Sequence, residues 1–161
     1  MKIKSINPVY RVFLIAVIYC CLTSCTRNNG DIGPWFGSWR LDEITIDGEQ
    51  SDEYAGNIVW KFQNNVFEMV KILINDYTHG YEVCYATWSE HDEYMLIDFQ
   101  HHDDVYQPDW DGRYKPFAET HLPVNGVAEL KIESQTGSRV QLTYQSPTDG
   151  KTYCYKLSKQ G

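Results

Sequence analysis

Two histidines and two aspartates stand side by side at His101, His102, Asp103 and Asp104, and these residue types can ligate a divalent metal. Adjacent residues of an extended chain point in opposite directions, however, so the four cannot converge on one ion. The sequence around them shows no pair of histidines at i,i+4 spacing and no third ligand at a fixed distance. A solvated acidic loop explains the same residues, and we therefore predict no metal site and no cofactor.

Catalytic groups are equally hard to assemble from this sequence. The segment Asp109-Trp110-Asp111-Gly112 resembles part of a calcium loop, but it lacks the later bidentate Glu that completes an EF-hand. The chain has neither a G-x-S-x-G nucleophile motif nor a Gly-rich loop that could cradle a phosphate. Its carboxylates fall mainly at outward positions of the strands predicted below. We predict that the protein is not an enzyme and assign no catalytic residue.

A different chemistry is indicated for Cys25, which follows a short apolar N-terminal stretch. Three positive residues lie within the first eleven positions, and 12–22 is an almost unbroken apolar run. This layout is typical of a secretory signal peptide. The tetrapeptide Leu22-Thr23-Ser24-Cys25 resembles the lipobox of bacterial lipoproteins. The resemblance implies cleavage before Cys25, a diacylglycerol thioether on its sulfur and attachment of the mature chain to a membrane.

Two other interpretations of the leader remain open, a transmembrane helix and a signal peptide without lipid. The apolar run is about half the roughly 20 residues that a membrane-spanning helix needs. We predict a signal peptide at 1–24, a lipidated tether at 25–34 and one domain at 35–161. The tether lacks the acidic cluster that directs some lipoproteins to the cell surface. The predicted location is the bacterial cell envelope, on the periplasmic face of the outer membrane.

The composition narrows the class of domain and partner. Without residues 1–24, the chain keeps 11 Lys and Arg against 22 Asp and Glu, a net charge of −11. Nucleic-acid binding needs basic patches, so this acidity argues against a nucleic-acid partner. The 12 Tyr, 6 Phe and 5 Trp residues favour strands over helices. The remaining 137 residues fit a single domain.

Short alternating segments separated by Gly, Pro, Asn and Asp predict an all-β domain. Most neighbouring segments are joined by tight hairpins. This arrangement predicts an eight-stranded antiparallel up-and-down barrel, with a two-sheet β-sandwich as the alternative. The predicted strands are 38–46, 57–63, 66–74, 80–89, 93–100, 127–133, 139–145 and 151–158.

The residue pattern also predicts the register at three places. A turn at Asn64-Asn65 places apolar residues on one face and an ion pair on the other. Its predicted pairs are Gln63–Val66, Phe62–Phe67, Lys61–Glu68 and Trp60–Met69. The apolar phase slips at Asp42-Glu43, which predicts a β-bulge. A turn at His91-Asp92 predicts the pairs Trp88–Met95, Ala86–Ile97 and Cys84–Phe99.

The two cysteines of the predicted domain fall on opposite faces. Cys84 shares the inward parity of its strand, whereas Cys154 shares the outward parity of the last strand. Their Cβ vectors would then point apart, which disfavours a disulfide. We predict two free thiols, although an oxidising envelope would permit a bridge.

The triplet Gly37-Ser38-Trp39 at the start of the first strand resembles the G-x-W signature of lipocalins. The segment 37–48 also resembles the opening of bacterial lipocalin-like domains found in secreted lipoproteins. In lipocalins this Trp plugs the closed end of the barrel beneath a ligand cup. An Arg near their last strand stacks on it, where this chain has Lys156 and Lys159. The resemblance implies a lipocalin-like barrel that binds a small molecule.

The aromatic residues predicted to point inward carry the binding hypothesis. They are Trp60, Phe62, Phe67, Trp88, Phe99, Tyr144, Tyr153 and Tyr155. We predict that Trp60, Phe67, Trp88, Phe99 and Tyr144 line a site for a small, partly apolar molecule. An eight-stranded barrel is just wide enough to hold one such molecule or to be filled by its own side chains.

Two further features belong to this hypothesis. Lys71, which the register turns inward opposite Ile58, would be a polar anchor, unless a second phase slip turns it outward. The long insertion 101–123 would pack over one end of the barrel and gate it. The alternative function is a filled barrel that docks on another protein through exposed aromatic residues of this insertion. Those residues are Tyr106, Trp110, Tyr114 and Phe117.

Overall fold

The strands form one antiparallel sheet that closes on itself, as the spacing of the apolar segments predicts. The computed structural model describes residues 33–73, 80–101 and 112–161, and nine strands lie in these ranges. They are β1 (Gly37–Ile46), β2 (Glu49–Gln50), β3 (Ile58–Gln63), β4 (Val66–Ile72), β5 (Tyr81–His91), β6 (Tyr94–Asp98), β7 (Val127–Gln135), β8 (Arg139–Gln145) and β9 (Thr152–Lys159).

The barrel closes because β1 pairs with both β3 and β9. Each of the other long strands pairs with its neighbours in sequence, from β3 through β9. The two-residue strand β2 only forms a hairpin with the end of β1. The prediction of an eight-stranded up-and-down barrel is therefore confirmed, and the sandwich alternative is wrong.

The hairpin between β3 and β4 has the predicted register at every pair. Phe62 lies opposite Phe67, and Lys61 lies opposite Glu68 with Nζ and Oε1 3.0 Å apart. Asn64 begins the turn with a φ of 51°, a conformation that Asn tolerates better than most residues. One face of the hairpin is buried and the other is charged, so a slip of one residue would expose the whole apolar set.

The predicted bulge in β1 is also present. The pairing of β1 with β9 shifts between Leu41 and Glu43, so that Asp42 is the extra residue. The shift allows Leu41 and Ile44 to point inward although they are three positions apart. A second shift, which the sequence pattern did not indicate, lies in β7 between Ile132 and Ser134.

The predicted register of β5 and β6 is wrong by two residues. Trp88 lies opposite Ile97 rather than Met95, and His91 lies opposite Tyr94. The turn is formed by Asp92 and Glu93, and Asp92 adopts a positive φ of 53°. The predicted Ala86–Ile97 and Cys84–Phe99 pairs are therefore absent from this ladder, which ends at Thr87–Asp98. Because the observed and predicted registers differ by two residues, the same side chains point inward in both.

The two cysteines lie as the strand parities predict. Cys84 is buried inside the barrel, Cys154 is half-buried on the outer face, and both thiols are free. Burial raises the pKa of the Cys84 thiol to about 12 and also raises that of Cys154. Neither thiol is therefore activated as a nucleophile at neutral pH.

The two ends of the barrel differ in their connections. One end, here called the closed end, carries the chain entry before β1 and the short turns β3–β4, β5–β6 and β7–β8. The opposite end, here called the mouth, carries the longer connections, including the insertion between β6 and β7. In the parts of the chain that the structure describes, no helix is long and apolar enough to span a membrane.

Aromatic residues that precede and begin β1 seal the closed end. Trp35 and Trp39 are both buried, and the Trp39 indole N–H donates a 2.7 Å hydrogen bond to the Trp35 carbonyl. Lys159 Nζ lies 5.2 Å from the centroid of the Trp39 ring. Lys159, not Lys156, therefore supplies the cation at this place, while Lys156 pairs with Glu43 on the outer face.

The predicted signal peptide, the lipidation of Cys25 and most of the tether lie in 1–32, outside the described residues. The same holds for the candidate ligands His102, Asp103, Asp104, Asp109 and Asp111 and for the aromatic residues Tyr106 and Trp110.

Candidate functional site

Packed aromatic rings fill the middle of the barrel. Trp60, Phe67 and Phe99 have no exposed surface. The rings of Trp60 and Phe67 lie 5.3 Å apart, edge to face, and those of Phe67 and Phe99 lie 6.2 Å apart in the same geometry. The ring of Tyr155, on β9 two strands away, lies 5.4 Å from that of Trp60. Three of the five predicted ligand-binding residues thus form one buried cluster.

The other two predicted ligand-binding residues lie toward opposite ends of the barrel. Trp88 is half-buried near the closed end, where its ring lies 5.0 Å from Phe62 and 6.2 Å from Trp35. Tyr144 is buried near the mouth and stacks on Tyr153 at 6.3 Å. The structure therefore does not bring all five residues to one place, and their role in ligand binding stays a prediction.

A short segment of the insertion covers the mouth. Residues 112–123, here called the cap, include a 3-10 helix at Ala118–Thr120. Thr120 is fully buried and Leu122 is nearly so, although both belong to a connection rather than a strand. The Tyr155 hydroxyl, which lies inside the barrel, donates a 2.7 Å hydrogen bond to the Thr120 carbonyl. The cap is thus inserted into the mouth.

An ion pair fastens the cap to the barrel wall. Lys71 lies opposite Ile58 in the β3–β4 ladder and shares the inward face with Phe67 and Met69, as predicted. Its ammonium lies 2.6 Å from Oε1 of Glu119, and both side chains are largely shielded, with 27% and 15% of their surfaces exposed. The same ammonium lies 5.8 Å from the centre of the Phe117 ring.

A second contact of the cap involves His121, which ends the 3-10 helix with a left-handed φ of 54°. Its ring stacks on Tyr153 at 4.7 Å, and its Nε2 lies 4.0 Å from a Glu53 carboxylate oxygen. The Tyr153 hydroxyl donates a hydrogen bond to Asp149. This bond holds the pKa of Asp149 at about 2, and burial followed by Asp149 raises the pKa of Tyr153 to about 12.

Tyr54 anchors the connection between β2 and β3 beside the cap. Its hydroxyl donates a hydrogen bond to the Leu41 carbonyl and accepts one from the Ile58 N–H. Burial raises the pKa of Tyr54 to about 12. Burial likewise raises the pKa of Tyr155 well above its ordinary value. Both hydroxyls are therefore neutral donors over the physiological range.

Three buried indole N–H groups, those of Trp35, Trp60 and Trp88, have no hydrogen-bond partner among the described residues, and that of Trp60 lies in the middle of the barrel. The indole N–H of Trp60 is buried, and no hydrogen-bond acceptor lies within reach of it among the described residues. An indole nitrogen can only donate. An unsatisfied buried donor costs about 1–3 kcal/mol, so an acceptor supplied by a guest molecule would be stabilised here.

An open cleft flanks the Lys71–Glu119 ion pair. Its volume is about 500 Å³. The wall of the barrel contributes Lys71 and Glu82, and the cap contributes Lys115, Phe117 and Glu119. A small molecule in this cleft would contact both members of the ion pair.

Metal binding gains no support from the described part of the insertion. His101 Nε2 is hydrogen-bonded to the Thr87 hydroxyl at 2.9 Å, and its ring lies 6.3 Å from that of Tyr114. Within 33–73, 80–101 and 112–161, no three His, Cys, Asp or Glu residues are grouped so that they could hold an ion.

Sequence reasoning missed several residues that build the mouth and the closed end. The sequence pattern assigns Glu119, Thr120 and His121 only to a gating loop, and it indicates no role for Tyr54 or Trp35. The break in apolar alternation between 101 and 123 indicates an insertion, but it does not show which residue of the cap contacts which strand. Trp35, by contrast, lies four residues before Trp39, and this spacing is a sign that the two rings pack together at the closed end.

Comparisons with known proteins agree with this architecture. A family model described as a lipocalin-like domain matches residues 20–148, which is most of the chain. A lipocalin-like protein from Bacteroides uniformis has a similar structure, with a TM-score of 0.55 and 17% identity over 80% of this chain and 100% of that one. An uncharacterized protein from Bacteroides eggerthii has a TM-score of 0.50 and 19% identity over 78% of this chain and 99% of that one. No curated protein matches the chain.

Proposed function

This chain belongs to the lipocalin-like domain family, and from that premise and the geometry of the mouth we propose that it binds a small, partly apolar molecule inside the barrel. The single observation that carries the proposal is the Trp60 indole, a fully buried donor in the middle of the barrel without an acceptor among the described residues. An eight-stranded barrel is wide enough either to be filled by side chains or to hold one small ligand, so the rings that fill this interior must move to admit a guest. The guest would supply the acceptor that Trp60 lacks.

The way in is through the mouth. The closed end is sealed by the packing of Trp35 and Trp39, whereas the cap is held by polar contacts from Lys71 and Tyr155. Polar contacts at a rim can be exchanged for contacts with water or with a ligand, while buried ring packing cannot. The cap would therefore open to admit the guest, and the core rings would shift to make room for it.

An uncharged fluorescent probe, N-phenyl-1-naphthylamine, tests this proposal. We expect saturable uptake with increased emission, and displacement of the probe by small molecules extracted from the purified protein. Phe67→Trp should abolish uptake because it overfills the interior. Phe36→Trp makes the same change at a residue that is 40% exposed and should leave uptake unchanged. A wild-type protein that takes up no probe and carries no small molecule in native mass spectrometry would overturn the proposal.

We also propose that the barrel is held in the bacterial cell envelope by lipid on Cys25, on the periplasmic face of the outer membrane. The support is the positively charged and apolar leader and the lipobox-like tetrapeptide that ends at Cys25. Stable anchoring takes more than one acyl chain, which a diacylglycerol thioether supplies. Cys25→Ala should move the protein from the membrane to the soluble fraction. Cys21→Ala, within the leader, is the matched control and should leave it in the membrane.

The alternative function, docking on a protein through the insertion, depends on Tyr106, Trp110, Tyr114 and Phe117. The first two lie outside the described residues, Tyr114 is half-buried with its ring 6.3 Å from that of His101, and Phe117 packs beside Lys71. No contact among the described residues favours a docking surface over a cap. Because the family consists generally of binding proteins, we retain the prediction that the chain is not an enzyme.

A further inference from the structure

Lys71 is placed in the wall of the barrel by the register of β4. It follows Phe67 and Met69 on the inward face and lies opposite Ile58, which has no exposed surface. The position is therefore fixed by two paired strands and does not depend on the cap. The positive charge of Lys71 would remain at the mouth when the cap moves away.

The negative partner of Lys71, in contrast, belongs to the cap. Glu119 lies on the 3-10 helix Ala118–Thr120 and leaves the mouth with it when the cap opens. Opening would remove both the carboxylate that now lies 2.6 Å from the Lys71 ammonium and the Phe117 ring beside it. A guest that covers the mouth in place of the cap would shield the charge again, so a guest that supplies a new anion would be preferred over a neutral one.

The interior of the barrel also favours a guest that carries hydrogen-bond acceptors. Trp60 lies one inward-facing position deeper than Ile58 on the same strand, and its unpartnered N–H can only donate. The Tyr155 hydroxyl would lose its acceptor, the Thr120 carbonyl, when the cap moves. The Trp60 and Tyr155 groups that an opened barrel would offer to a guest are therefore donors, and Lys71 adds a cation at the rim beside the exposed Glu82.

We propose that the guest is an amphipathic carboxylate whose anionic head takes the place of Glu119 on Lys71 while its apolar body enters the barrel. The inference rests on the proposed function and adds the class of ligand and the residue that selects it. Glu119 then acts as an internal competitor for Lys71. The cleft beside the ion pair gives the incoming head group access to the ammonium before the cap has opened.

Displacement of bound N-phenyl-1-naphthylamine at neutral pH by three ten-carbon probes tests the inference. The probes are decanoate, decan-1-ol and decylammonium, which share a body and differ in head-group charge. A purely apolar site would prefer decanol to decanoate, because decanol is the less water-soluble of the two. We expect decanoate to displace the probe at a concentration at least tenfold below that of decanol, with decylammonium the weakest.

Two variants assign the preference to the ion pair. Lys71→Met keeps most of the side-chain stem and removes the charge, so the advantage of decanoate over decanol should fall from at least tenfold to near equality. Glu119→Gln removes the internal competitor, so decanoate should bind several-fold more tightly and decanol should change less. If Lys71→Met does not fold, the wild-type comparison and Glu119→Gln still decide the matter.

The outcomes separate the two proposals. Uptake of the fluorescent probe with equal displacement by decanoate and decanol, or with decylammonium the strongest, would overturn the carboxylate inference and leave the binding function standing. A Lys71→Met protein that still prefers decanoate tenfold would also overturn it. Absence of probe uptake by the wild-type protein would overturn the binding function, and the inference with it.

Discussion

The ammonium of Lys159 lies 5.2 Å from the centroid of the Trp39 ring, at the point where the first and last strands close the barrel. The two residues are directly paired between β1 and β9. Lys159 Nζ also lies 3.3 Å from the Pro34 carbonyl, so the same side chain ties down the chain just before β1. A lysine thus occupies the place that the resemblance to lipocalins assigns to an arginine.

Removing this cation should weaken the closed end. Lys159→Met is expected to lower the free energy of unfolding by about 0.5–1 kcal/mol, the usual size of an exposed cation–π contact. Lys159→Arg should restore it, because a guanidinium also stacks on an indole. Urea denaturation of both variants measures the effect. Lys151→Met, an exposed lysine at the mouth, is the control, and an equal loss in that variant would contradict the assignment to Trp39.

The bulge at Asp42 makes a deletion in β1 tolerable. Without Asp42, Leu41 and Ile44 still point inward, because the remaining residues alternate regularly opposite Leu157 and Tyr155. We expect the Asp42 deletion to retain a cooperative unfolding transition. Deletion of Lys156 from the regular strand β9 should abolish it, because Tyr155 and Leu157 would then point to opposite faces. Circular dichroism during thermal denaturation compares the two, and similar behaviour would contradict this account.

The elements that the sequence predicts best are those with a charged outer face and an apolar inner face. The β3–β4 hairpin is such a case, because only one register pairs Lys61 with Glu68 and Phe62 with Phe67. The predicted β5–β6 register differs from the observed one by two residues, and the sequence pattern explains why. Turns at His91-Asp92 and at Asp92-Glu93 bury the same side chains, so the apolar pattern cannot distinguish them. The positive φ of Asp92, at the first turn position, is the feature that differs.

The cap could not be predicted in the same way. Its two main contacts join Lys71 to Glu119 and Tyr155 to Thr120, and the residues of each pair are far apart in the sequence. Nothing periodic links them, because a 3-10 helix of three residues carries no repeating pattern. That the insertion would cover one end of the barrel followed from its length, but the identity of its contacts depended on the closed barrel.

The tyrosines of the mouth should make the fold sensitive to alkali. The pKa values of Tyr54 and Tyr153 are raised to about 12, and burial raises that of Tyr155 well above its ordinary value. An unfolded tyrosine has a pKa of about 10, so the stabilisation is complete below pH 10 and is lost as the pH rises toward 12. Urea denaturation between pH 9 and 12 should show this loss. Absorbance at 295 nm should show part of the tyrosines ionising only on unfolding, and ionisation of every tyrosine near pH 10 in the folded protein would contradict it.

Asp149 should produce a separate change in acid. Its pKa lies at about 2 in the folded protein, mainly because it accepts a hydrogen bond from Tyr153. An unfolded aspartate has a pKa of about 3.9, so its contribution is present above pH 4 and disappears as the pH falls toward 2. Asp149→Asn should reduce the slope of stability against pH in that interval. Asp52→Asn, an exposed aspartate in another connection, is the matched control and should leave the slope unchanged.

The hydrogen bond from Tyr155 to the Thr120 carbonyl should govern how firmly the cap is closed. Tyr155→Phe leaves a buried carbonyl without its donor, so we expect the free energy of unfolding to fall by about 1–3 kcal/mol. The free energy of opening the cap alone should fall by a larger share, because few other hydrogen bonds or ion pairs hold the cap to the barrel. Amide hydrogen exchange at Thr120 and His121, whose N–H groups bond to Phe117 and Ala118, should accelerate more than exchange in the strands. Tyr81→Phe removes a hydroxyl from a side chain that is 65% exposed and should change neither measurement. Equal acceleration in the cap and in β8 would mean that Tyr155 stabilises the barrel as a whole and does not act as a latch.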